Sequence, residues 1–129
     1  MVVESSSRPE LAHARAMRGE FPKIVAELRD LLGSKLSAYL GSVKETRAVS
    51  QWVDGEREPS EGVRLRLRLA LQVALMVAEA DGPAVTRAWF QGLNPQLEDR
   101  SPARLLREGD LDEVGPQVLG AARAFVVGG

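Results

Sequence analysis

The chain has 129 residues, of which 44% are hydrophobic, 27% charged and 5% aromatic, with no cysteine and a formal net charge of −1. That length suits one domain with a core of its own, built mainly from Leu, Val and Ala, and the missing cysteines exclude disulfides and thiol catalysis. Residues 1–60 hold nine basic and nine acidic side chains and residues 61–129 eight and nine, so tight electrostatic wrapping of nucleic acid by a monomer is not expected, whereas a local basic face is compatible with the balance.

Residues 1–20 read as a Ser-rich N-terminal segment, with a short helix over Pro9 to Met17 as the alternative. The segment lacks the basic-then-apolar order of a signal peptide. No uncharged run in the chain exceeds ten residues, whereas a spanning helix needs roughly 20, so a cytoplasmic protein without a membrane partner is expected.

Residues 21–80 form the first structured region. Phe21, Ile24, Val25, Leu28, Leu31 and Leu32 follow helical spacing, and Gly33 is placed to stop that helix. Ser34 is expected to cap a short helix through Leu40, and a second short helix runs from Thr46 to Val53 before Gly55. Short helices separated by glycine turns suggest a helix-turn-helix. From Ser60 an alternation of Val, Arg and Leu would suit a strand, but it continues into Ala70 to Glu79, which is too long and too rich in helix formers for one. The expectation is a long central helix, buried on more than one side and ending near Asp81 and Gly82.

Residues 81–129 form a smaller module. A helix over Val85 to Phe90 leads to a turn at Gly92 to Pro95, in which Asn94 bonds to its own turn. Ser101 caps a helix that begins at Pro102 and ends at Gly109. Asp110 and Glu113 have capping-box spacing, and Pro116 is expected to kink or restart the last helix near Val114.

Catalytic chemistry finds little support. The single histidine, His13, reads as a solvated surface residue, and no phosphate loop, nucleophile elbow or zinc spacing is present. Asp110, Asp112 and Glu113 sit at a helix start, where capping accounts for them. No catalytic residue, metal ligand or cofactor is expected. Arg64, Arg66 and Arg68 spread over about 200° of a helix, so they read as a solvated or carboxylate-paired set sooner than as a phosphate stripe.

Two stretches carry more. Leu36 to Pro59, with Trp52, Gly55 and Pro59, resembles the helix-turn-helix of Xre/Cro-type regulators. Val49 and Trp52 would then face the core, while Lys44, Thr46, Arg47, Ser50 and Gln51 lie toward DNA. The interval from Gly41 to Trp52 is slightly longer than that pattern, and Glu45, Glu56 and Glu58 place negative charge nearby; a helical hairpin kept for packing is the alternative. Ala88 to Gly109, with Trp89-Phe90, Asn94-Pro95, Leu97, Pro102, Leu105-Leu106 and Gly109, resembles the toxin-binding domain of Xre/MbcA/ParS-type antitoxins of RES-Xre toxin-antitoxin systems. Together the two resemblances cover roughly residues 21–127.

The resemblance implies an all-α protein: an Xre-like helix-turn-helix bundle joined by a long central helix to a small helical toxin-binding module. It implies a non-enzymatic antitoxin that covers the NAD cleft of a cognate RES-domain toxin with its C-terminal region, forms a homodimer or a hetero-oligomer with that toxin, and represses its own promoter. The expected toxin-binding residues are Arg104, Arg107, Arg123, Phe125, Val126 and Val127. Deleting residues 120–129 is then expected to abolish neutralisation while leaving the fold largely intact. The competing reading is a free-standing Xre-like transcriptional regulator whose second half serves for dimerisation.

Overall fold

The computed structural model describes residues 20–128. The expectations for His13 and for the segment over Pro9 to Met17 lie outside the described residues. Among those described there are six α-helices and no strand: α1 (Phe21–Leu32), α2 (Ser34–Leu40), α3 (Thr46–Val53), α4 (Glu61–Gln91), α5 (Pro102–Glu108) and α6 (Leu111–Gly128), with a 3₁₀ turn at Pro95–Leu97. This is the all-α bundle expected from the sequence.

The central helix organises the rest. Leu67, Ala70, Leu71, Val73, Ala74 and Val77 are buried and cover roughly 160° of α4 at about 100° per residue. Such an arc is wide enough to meet α1 on one side and α6 on another, which accounts for the mixed alternation in the sequence. By length and composition α4 includes a stretch apolar enough to cross a bilayer, and 33% of that stretch is buried inside the protein. One cluster of buried side chains runs from Phe21 through Leu67 and Phe90 to Ala122.

The helical path breaks at Gly82, whose φ is +87° and ψ 168°. Pro83 causes this twice over: its ring disfavours helical backbone in the residue before it, and it has no N–H to continue the ladder. A glycine meets the left-handed φ without a Cβ clash. Just beyond the break, the buried hydroxyl of Thr86 donates to the Gly82 carbonyl at 2.8 Å.

Local caps follow the sequence except that Asp110 takes the Asp112 N–H in place of the expected capping box with Glu113, and except for two further corrections. Ser101 Oγ accepts from the Arg104 N–H, Asn94 Oδ1 from the Gln96 N–H, and Asp110 Oδ1 from the Asp112 N–H. Ser34, however, does not cap α2; Gly33, at φ +89°, is both the end of α1 and the N-cap of α2, so Ser34 is already inside the helix. The second correction concerns Pro116, which lies within the unbroken α6. At the sixth position of the helix it forfeits only the bond to the Asp112 carbonyl, and both residues are exposed, so water can satisfy that group.

Candidate functional site

Helices α2 and α3 form the helix-turn-helix pair. Val49 and Trp52 are fully buried, and the Trp52 ring meets Phe21 edge-on at 6.4 Å between centroids. The approach is close: a Cβ on Gly41 would sit 2.6 Å from the Trp52 ring, so the turn after α2 needs glycine for space. On the opposite face Lys44, Thr46, Arg47 and Ser50 are exposed. Gln51 is half-buried, and its Oε1 accepts from Arg57 at 3.4 Å. The helix thus divides into a packed and a free side, as its spacing predicts.

Arg107 is placed differently from the expectation that it faces outward. Its guanidinium lies over the Tyr39 ring, 4.5 Å from the centroid, and donates to the Tyr39 carbonyl at 3.2 Å. Helix α5 is thereby tied to the end of α2, and Arg107 joins Lys35, Tyr39, Lys44, Glu45, Thr46 and Arg47 around one open cleft of about 730 Å³. Lys35 entered no sequence motif and Tyr39 was given no role in its own; the packing of α5 onto α2 reveals both.

Arg64 and Arg66 of α4 bond chiefly to backbone carbonyls and not to carboxylates. Arg66 donates to the Leu40 carbonyl at 2.9 Å and to Ser42 Oγ at 3.1 Å. Arg64 donates to the Pro59 carbonyl at 2.8 Å, with Glu58 at 3.7 Å. Burial, and secondarily the charge of Arg107, lower the pKa of Arg66; burial lowers that of Arg68. Carbonyls at a helix end attract cations because they carry the negative pole of the peptide dipoles, which suits Arg66 at the end of α2.

The C-terminal surface is apolar. Trp89 and Phe90 are buried and meet edge-on at 5.4 Å, while Phe125 packs on Trp89 at 6.3 Å. Phe125 and Val126 are half-buried against the core, whereas Val127 is 86% exposed. Beside them a shallow groove is lined by Val85, Ala88, Trp89, Leu93 and Phe125, with Leu93 75% exposed at its rim. Arg123 is exposed on α6, and Arg104 is exposed on α5, paired with Glu108 at 3.1 Å. Ala121 and Ala122 are buried and Phe125 packs on Trp89, so residues 120–129 contribute to the core as well as to the surface.

The described residues thus form a helical bundle with a helix-turn-helix pair and an apolar groove beside the last helix. Among the described residues no group of three or more His, Asp or Glu is disposed to hold a metal. No family model and no curated protein sequence matches the chain. A solved structure does: the chain is similar to one in the crystal structure of the M. tuberculosis MbcT-MbcA toxin-antitoxin complex, at 26% identity and a TM-score of 0.67, over 83% of this chain and 94% of that one. The likeness supports an MbcA-type antitoxin identification, the family that residues 88–109 resemble.

Proposed function

We propose that the chain neutralises a cognate RES-type toxin by laying its C-terminal region over the toxin's active-site cleft. The observation that carries this reading is the placement of exposed apolar side chains. Of the four large ones among the described residues, Leu75, Val85, Leu93 and Val127, three follow the break at Gly82, and Leu93 and Val85 edge the groove beside Phe125. Exposed apolar groups gathered beside a concave surface mark a docking face, and desolvating them supplies affinity. Arg104 and Arg123, both exposed, are the candidate polar contacts; Phe125 and Val126 pack against the core, and Val127 is the free tip.

The promoter-binding part of the reading rests on the free face of α3, with Lys44, Thr46, Arg47 and Ser50 open to solvent. A complex with the toxin in a cytoplasmic setting, arraying several such units, would raise a weak monomeric affinity. The test is co-expression of the chain with the toxin encoded beside it, reading growth and cellular NAD. Wild type is expected to restore both, and Leu93→Asp combined with Val127→Asp to restore neither while keeping its thermal midpoint. Full protection by the double variant would overturn the occlusion reading. A free-standing regulator would instead bind its operator tightly alone and leave cellular NAD untouched.

A further inference from the structure

The cations around the cleft at the end of α2 come from both halves of the molecule. Lys35 belongs to α2, Lys44 and Arg47 to the turn and start of α3, and Arg107 to α5. Among the described residues none of the four is in an ion pair, and neither is Arg66, which lies close enough to Arg107 for its pKa to be lowered by it. Glu45 is the one carboxylate lining the cleft. A chain of net charge −1 has thus set four described cations around one cleft against a single described carboxylate.

Like charges held together lose free energy by repulsion unless an anion is recruited, and the cost is recovered when one binds. A single small anion does not suit this arrangement, because the cations are distributed along three elements around an open cleft. A line of regularly spaced negative charges does, and double-stranded DNA carries one about every 1.7 Å of its axis. Thr46 and Ser50, exposed on the adjoining face of α3, are short hydroxyl donors of the kind that contact phosphate. The guanidinium of Arg107 has five N–H donors, and its bond to Tyr39 uses one.

The geometry points to a composite phosphate-binding cleft, in which the backbone of duplex DNA is held by Lys35 and Arg107 as well as by Lys44 and Arg47. This rests on the helix-turn-helix reading and adds to it that the C-terminal module supplies part of the DNA face. The positioning contact is the Tyr39 ring, which holds Arg107 against α2. An arginine of the module that carries the toxin-docking surface is therefore read out by promoter occupancy.

The test uses the full chain and a 30-base-pair mixed-sequence DNA duplex, with affinity measured by fluorescence anisotropy across a salt series. Lys35→Gln and Arg107→Gln are each expected to lower the slope of log affinity against log salt by about one, the signature of one lost phosphate contact. Arg47→Gln tests the underlying reading. Arg107→Gln is checked by circular dichroism, and Lys35→Gln, at an exposed position, serves if Arg107→Gln does not fold. If Arg47→Gln weakens binding while the other two keep the wild-type slope, the composite cleft is wrong and the helix-turn-helix reading stands. If the wild-type chain does not bind the duplex at all, both fall. If the two variants keep the slope but lose co-purification of the toxin, the cleft is a protein-docking surface and the proposal is overturned.

Discussion

The guanidinium of Arg107 sits 4.5 Å over the ring of Tyr39 and donates to the carbonyl of the same residue, across 68 positions of sequence. One contact therefore fastens the short helix α5 to the first helix of the helix-turn-helix. It also explains how two groups of residues that read as separate in the sequence, one for DNA and one for a protein partner, come to border a single cleft.

Removing that contact should loosen α5. Arg107→Ala and Tyr39→Ala are each expected to lower unfolding free energy, with a coupling of about 0.5–2 kcal/mol between them in a double-mutant cycle measured by urea titration. A coupling indistinguishable from zero would mean that the cation and ring meet without energetic consequence.

The turn below Trp52 leaves no room for a methyl group. Gly41→Ala places a Cβ 2.6 Å from the indole, so the ring or the turn must shift, at a cost of roughly 1–3 kcal/mol. Tryptophan fluorescence should change together with the midpoint, because Trp52 is the group displaced.

At the break in α4 the cost is conformational instead. Gly82→Ala meets no atom within 4 Å, yet it forces an alanine to φ +87°, and a loss of about 1–2 kcal/mol is expected. A calorimetric midpoint equal to or above wild type would show that the break relaxes when a side chain is present.

Phe125 and Val127 should separate packing from docking. Phe125→Ala removes a half-buried ring from Trp89 and is expected to cost about 1–3 kcal/mol, whereas Val127→Ala should stay within about 0.5 kcal/mol of wild type. Equal thermal shifts for the two would place Val127 in the core and remove it from the docking face.

Much of the fold was legible because it depends on atoms a few residues apart. Pro83 after Gly82 decides where the long helix breaks, Ser101 before Pro102 starts α5, and Asn94 closes its own turn, each through bonds or clashes within four residues. Val49 and Trp52 were assigned to the core by helical spacing, and both are buried. Ser34 misled because the preceding glycine had already turned the chain, and Pro116 because its position near a helix start makes the lost bond cheap.

The sequence by itself therefore determined an all-α chain, the break near Gly82, the caps at Asn94 and Ser101, the packed side of α3, and the family it resembles. Tertiary packing alone decided that Arg107 leans on Tyr39, that Arg66 serves the end of α2, and that Phe125 supports Trp89 while Val127 stays free. The physical reason is range. Helical hydrogen bonds and backbone sterics are settled within a turn of the chain, but a cation's partner and an apolar group's exposure depend on which distant helix arrives beside it.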